Sequence, residues 1–112
     1  MLLNIVYLDD EPMLCEIFVD FFSAEDRIVR TFTDPNEAIA SMRANPPDVL
    51  FIDYRLPGTT GDLVAQSLDP NIPKYLITGD ITVNTTYQFK RVLPKPVDES
   101  VIGEILTNVA AA

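Results

Sequence analysis

Val49-Leu50-Phe51-Ile52 is an unbroken apolar run that stops on a carboxylate, Asp53. A continuous apolar run of this length, two of its residues β-branched, reads as a strand covered on both faces, as in the middle of a parallel sheet. Such a strand can carry an acid only at its end. Asp53 is therefore expected at the carboxyl edge of a central strand, where open α/β sheets place their ligands. The residues that follow, Tyr54-Arg55-Leu56-Pro57-Gly58-Thr59-Thr60-Gly61, have the chemistry of a turn.

The pattern recurs along the chain. Ile5-Val6-Tyr7-Leu8 runs into Asp9-Asp10-Glu11, and Pro12 suits the first turn of a helix. Leu14, Ile17, Phe18, Phe21 and Phe22 then recur at helical spacing, with Cys15 expected in the packing of that helix. Ile28 to Phe32 alternates as a half-covered edge strand does, and Thr33-Asp34-Pro35 caps a helix carrying Ala38, Ile39 and Met42. After Gly61 a short helix is expected over Asp62 to Leu68, with Leu63, Val64 and Leu68 on one side, until Asp69-Pro70-Asn71-Ile72-Pro73 ends it. Tyr75-Leu76-Ile77-Thr78 is another buried strand. Gly79 to Tyr87 has no clean period, so the helix there is expected to be shortened or irregular. Arg91-Val92-Leu93-Pro94 leads to Lys95-Pro96, and Asp98-Glu99-Ser100 opens a last helix built on Val101, Ile102, Ile105, Leu106 and Val109. The alternation predicts an α/β fold, a doubly wound five-stranded parallel sheet. The 112 residues are enough for one core, so a single domain over 1–112 is expected.

Charge and composition narrow the chemistry. A net charge of −9 argues against nucleic acid or an anionic membrane as direct partners, since both call for a cationic surface. No apolar run approaches the roughly 20 residues of a membrane span, and Met1-Leu2-Leu3-Asn4 lacks a leader's basic start, so a soluble cytoplasmic protein is expected. The single cysteine excludes an internal disulfide and a cysteine-rich zinc site, and there is no histidine. Hard, oxygen-coordinated metals such as Mg²⁺ remain.

Parallel strands present their carboxyl ends on one side, which would gather Asp9, Asp10, Asp53, Thr78 and Lys95. Carboxylates so placed raise one another's pKa, and a divalent cation removes the conflict. A carboxylate nucleophile, Mg²⁺, a lysine and a hydroxyl together suit phosphoryl transfer through an aspartyl phosphate.

Asp9-Asp10 after an apolar strand, Asp53 with Pro57 and Gly61 four and eight positions on, Thr78 after the fourth strand and Lys95-Pro96 after the fifth resemble the receiver domain of two-component response regulators. The resemblance covers essentially the whole chain. It implies a flavodoxin-like fold with strand order 2-1-3-4-5 and a cis peptide before Pro96. It further implies a phosphorylation-controlled switch in which Asp53 takes phosphate from a sensor histidine kinase or a phosphotransfer protein. Asp10, Asp53 and the backbone carbonyl of Arg55 would bind Mg²⁺ directly, and Asp9 through water. Thr78 would hydrogen-bond a phosphoryl oxygen, and Lys95 would pair with it. Such a domain is no dedicated enzyme; it catalyses its own phosphorylation and slow dephosphorylation. Its output would pass through the fourth and fifth strands and adjoining helices to a partner, an output domain or a phosphorylation-dependent dimer, and the exposed part of the first helix would be the kinase-docking surface.

Two departures stand out. The position three before Lys95, where the family often has a switch aromatic, is Val92, and the stretch from Thr78 to Lys95 is short. An alternative reading is thus a pseudo-receiver, an interaction module not controlled by phosphate. A Mg²⁺-dependent hydrolase acting on external phosphate esters fits less well, because Arg55 stands where such an enzyme would have a second acid. Arg55 and Asp80, two residues beyond Asp53 and Thr78, are expected to form a partly exposed ion pair across the mouth of the site and to modulate water access.

Overall fold

Five parallel strands run through the middle of the molecule in the order β2-β1-β3-β6-β7. The computed structural model describes residues 2–80 and 82–112; Met1, in the stretch read as lacking a leader, and Ile81, in the weakly patterned connection, lie outside them. The sheet strands are β1 (Leu3–Leu8), β2 (Arg27–Phe32), β3 (Val49–Asp53), β6 (Lys74–Thr78) and β7 (Arg91–Pro94). In the sequence order of the sheet strands this is 2-1-3-4-5, the order that the resemblance implies. The helices are α1 (Pro12–Phe22), α2 (Pro35–Ala44), α3 (Gly61–Gln66) and α4 (Glu99–Ala111). Among the described residues no helix is long and apolar enough to cross a membrane.

Alternation along each strand divides the core in two, because successive side chains leave a strand on opposite faces. Ile5, Tyr7 and Phe51 meet Phe18 and Phe22 of α1 and Ile102, Ile105 and Leu106 of α4 on one face. Val6, Leu8, Leu50 and Ile52 meet Ala38 and Met42 of α2 and Val64 of α3 on the other. All five residues of β3 are buried, which the apolar run Val49–Ile52 requires. The helix starts follow from their caps: Asp34 accepts from the Asn36 N–H and Asp98 from the Ser100 N–H.

Three local expectations change. The apolar residues of α1 divide, with Phe18 and Phe22 buried while Ile17 and Phe21 are 42% and 54% exposed. In α3, Val64 is buried and Leu63 faces solvent, and the helix stops at Gln66, with Leu68 buried just beyond it. The stretch read as a turn after Asp53 is a small antiparallel hairpin, β4 (Arg55–Leu56) and β5 (Thr59–Thr60). Gly58 makes its tight corner at φ 72°, a conformation that side chains with a Cβ rarely adopt.

The connection from β6 to β7 carries the largest departure. Among its described residues there is no helix, only turns and bends. Its threonines explain this, since short hydroxyl side chains that bond the nearby backbone compete with helix formation. Asp80 Oδ1 accepts from both the N–H and the hydroxyl of Thr82, and Thr85 donates its hydroxyl to the Tyr87 carbonyl. The connection is held instead by Val83 and Phe89, which pack on the second core, and by Lys74. Lys74 is 1% exposed, and its ammonium donates to the Asp69 and Ile72 carbonyls and to the Tyr87 hydroxyl, at 2.7, 3.0 and 3.0 Å. A buried ammonium is tolerable there because all three of its protons have acceptors.

Candidate functional site

Asp9 and Asp53 lie at the carboxyl edge of two adjacent strands. The Asp9 N–H donates to the Phe32 carbonyl, which continues the β1–β2 ladder past Leu8 and fixes the acid at the edge. Asp53 is the last residue of β3. Lys95 follows β7, and its N–H donates to the Thr78 carbonyl at 3.0 Å, so it lies beside Thr78 in the next register. The Lys95–Pro96 peptide is cis. From there the lysine stem crosses the ends of the intervening strands. Its Nζ stands 3.0 Å from Asp9 Oδ2 and 3.1 Å from Asp53 Oδ2.

Asp9 is fully buried and accepts from several protein donors. Besides Lys95, the Tyr7 hydroxyl donates to Oδ2 at 2.8 Å and the Glu11 N–H to Oδ1 at 3.0 Å. Asp53 accepts from the Tyr54 N–H at 2.9 Å and from Lys95. Asp10 is exposed. One carboxylate oxygen from each of Asp9, Asp10 and Asp53 lies within 4.8 Å of the others. Three hard oxygen donors at this spacing suit a hard divalent cation that keeps part of its water. Asp9 thus accepts from three protein donors.

The electrostatics pull in opposite directions. Burial, and then the charge of Asp9, push the Asp53 carboxyl above its ordinary value, against the hydrogen bond and charge of Lys95. Burial works against the Lys95 ammonium, but its hydrogen bonds to Asp9 and Asp53 and their charges together outweigh it, so its pKa is raised. Burial foremost, then Asp9, also raise the Tyr7 phenol and the Cys15 thiol, so both stay protonated. Cys15 is buried in α1, its sulfur 3.5 Å from the Asp9 carbonyl.

Thr78 and Arg55 sit at the rim. Thr78 is buried at the end of β6, and its hydroxyl oxygen accepts the Asp80 N–H at 3.0 Å. The structure thus brings Asp9, Asp10, Asp53 and Lys95 together, while the Thr78 hydroxyl is engaged in the turn at Asp80. Arg55 opens β4, and its Nη2 stands 3.2 Å from Asp80 Oδ2, with 75% and 37% of the two side chains exposed. Val92 is 55% exposed on β7. In the sequence Tyr7 is marked only by its place two residues before Asp9. Asp62 carried no signal at all.

A family model of the response regulator receiver domain matches residues 5–107, and the chain belongs to that family. It is 26% identical over 117 residues to the transcriptional regulatory protein BtsR of Escherichia coli K12, covering 96% of this chain and 48% of that protein. The chain spans between a third and a half of the length of the curated regulators it first matches. Among solved structures, a CheY-like receiver domain from Methylobacillus flagellatus is similar with a TM-score of 0.86 and 19% identity, over 97% of this chain and 99% of that one. The receiver domain of the sensor histidine kinase PA1611 from Pseudomonas aeruginosa PAO1, which holds a coordinated magnesium ion in its active-site cleft, is similar with a TM-score of 0.85 and 16% identity, over the full length of both.

Proposed function

We propose that this receiver domain accepts a phosphoryl group on Asp53 and works as a phosphorylation-controlled switch. One observation carries the reading: a lysine just beyond the last strand bridges Asp9 and Asp53, at 3.0 and 3.1 Å, beside the exposed Asp10. An Asp53 oxygen forms the bond to phosphorus, and the bond from phosphorus to the donor's nitrogen or acyl oxygen breaks. Lys95 moves from the carboxylates to the incoming phosphoryl oxygens and balances their charge. Tyr7 and the Glu11 N–H hold Asp9 fixed meanwhile. Magnesium bound by Asp10, Asp53 and the Arg55 carbonyl, with Asp9 through water, would supply the remaining positive charge. Thr78 reaches the phosphoryl group by turning its hydroxyl proton away from the Asp80 carbonyl, 3.4 Å off, which makes that turn the first place to feel the event. The donor is a sensor kinase or phosphotransfer protein in the cytoplasm. Met13, Ile17 and Phe21, exposed and four residues apart on α1, form its docking stripe beside Asp10.

The pseudo-receiver reading has one observation in its favour, the exposed Val92 beside a connection that has no helix among its described residues. One experiment separates the two. Beryllofluoride or acetyl phosphate with Mg²⁺ is expected to modify the protein or change its spectrum, and Asp53→Asn is expected to abolish the effect. A response that survives Asp53→Asn, or that needs no magnesium, overturns the proposal.

The Arg55–Asp80 pair contributes little to stability, being largely exposed to solvent. Its effect is on water. Arg55→Ala and Asp80→Ala are each expected to shorten the phosphoryl lifetime at Asp53 while leaving the melting temperature near that of the wild type. A lifetime unchanged in both would remove the pair from the mechanism.

A further inference from the structure

Asp62 is the second residue of α3 and only 4% exposed, a carboxylate taken out of water with no ion-pair partner among the described residues. Donors hold its charge instead. Oδ1 accepts from the Thr60 hydroxyl and from the Leu63 N–H at 3.1 Å. Oδ2 accepts from both the N–H and the hydroxyl of Thr86, each at 3.1 Å. Burial works to raise this carboxyl, but the bonds from Thr60, Thr86 and Leu63 outweigh it, so Asp62 stays ionised at neutral pH.

The two threonines belong to separate elements. Thr60 lies in β5 and is the register partner of Arg55 across the hairpin. Thr86 lies in the connection from β6 to β7, which also carries Asp80. Arg55 and Asp80 are thus mounted on the two elements that Asp62 joins. A helix between β6 and β7 would hold itself by its own backbone bonds. The described residues of this connection have no such ladder, and the Thr86 N–H is satisfied by a side chain from another element.

We infer that Asp62 is a positioning residue: it clamps the connection between β6 and β7 to the β4–β5 hairpin and so sets the Arg55–Asp80 pair over the strand-end acids. The clamp itself stands on geometry alone; its kinetic consequence rests on the proposed role of Asp53. Asp62→Asn discriminates because it keeps the shape and one acceptor. Whichever way its amide turns, an NH₂ group meets a backbone N–H, that of Thr86 or that of Leu63. Thr86→Val removes the hydroxyl, and with it the bonds to Asp62 Oδ2 and from the Gln66 amide, while keeping the N–H.

Amide hydrogen exchange of the metal-free, unphosphorylated protein tests the clamp. In Asp62→Asn, exchange over residues 82–90 is expected to be about tenfold faster, the loss of one bond to a charged acceptor, with β1 and β3 unchanged. Thr86→Val, which keeps the N–H on Asp62 Oδ2, should also raise exchange over the same residues with β1 and β3 unchanged. Exchange unchanged at Thr86, or raised equally throughout the sheet, overturns the inference. The kinetic arm loads Asp53 from acetyl phosphate with Mg²⁺. Asp62→Asn is expected to shorten the phosphoryl lifetime several-fold at unaltered Mg²⁺ affinity. The Asp62→Asn, Asp80→Ala double variant should be no shorter-lived than Asp80→Ala alone. Additive shortening would mean that Asp62 acts elsewhere. If the wild type takes no phosphoryl group, the proposed function fails, and exchange alone decides on the clamp.

Discussion

Gly61→Ala is expected to destabilise the protein by about 3 kcal/mol or more, at the upper end of what overpacking costs, and to lower the melting temperature by roughly 10 °C. A Cβ at this position would stand 2.4 Å from the Asp53 carbonyl oxygen and 3.2 Å from its carbonyl carbon. Backbone is what it meets, so no rotamer change relieves the contact. Gly61 cannot retreat either, because its N–H donates to the Tyr54 carbonyl at 2.7 Å. The strain falls on the residue that carries the proposed nucleophile, so phosphorylation at Asp53 should slow along with the loss of stability. Gly103→Ala is the control. Nothing lies within 4 Å of a Cβ there, and the residue is inside α4, so alanine should stabilise by up to about 1 kcal/mol. Thermal melts of the two variants check both signs, and a neutral Gly61→Ala would mean that the contact is not as close as described.

Lys95→Met is expected to destabilise the metal-free protein by about 3 kcal/mol, the low end of the range for removing one partner of a buried ion pair. The low end applies because the lysine side chain is 21% exposed, while the acids left behind are nearly buried. The variant should also bind Mg²⁺ more tightly than the wild type, since a competing cation has gone, and Mg²⁺ should restore part of the lost stability. The pH dependence has a definite sign. Lys95 has a raised pKa, so its contribution is complete below the ordinary lysine value of 10.5 and is lost as pH rises through the higher folded value. Asp53 is raised as well, so its contribution is present below 3.8 and falls away as pH rises through its folded value. The gap between wild type and Lys95→Met should therefore be widest near neutrality and close at both extremes. Urea unfolding across pH in the presence of a chelator measures it, and a gap indifferent to pH would mean that charge is not what Lys95 contributes.

The central sheet and the strand-end acids were legible in the sequence for one reason. A strand buried on both faces has to be apolar throughout, so a polar residue in it is pushed to an end, and parallel topology gathers those ends. Asp9 and Asp53 are of this kind, whereas Lys95 follows β7, an edge strand with three of its four residues exposed, and is marked in the sequence by the prolines on either side of it. Asp62 and Lys74 are polar residues buried by partners distant in the chain, Thr86 and Tyr87, and no local pattern announces such a pairing. The split face of α1 has a related cause, for spacing places Ile17 and Phe21 on a helix but says nothing of how much of that helix the sheet covers. The connection after Thr78 was legible as a poor helix. What replaces the helix was not, because its anchors lie on α3 and at the start of β6.

Tyr7 gives the site an optical handle. The chain has no tryptophan, so its near-ultraviolet spectrum comes from four tyrosines and six phenylalanines. The Tyr7 ring is stacked on Phe18 with centroids 4.3 Å apart, and its hydroxyl ends 2.8 Å from an Asp9 oxygen that Lys95 also holds. Any change in the charge around Asp9 alters the hydrogen bond of a rigid, buried chromophore. The proposed metal binding and phosphorylation can thus be tested by absorbance or circular dichroism on the unlabelled protein, with Tyr7→Phe as the blank.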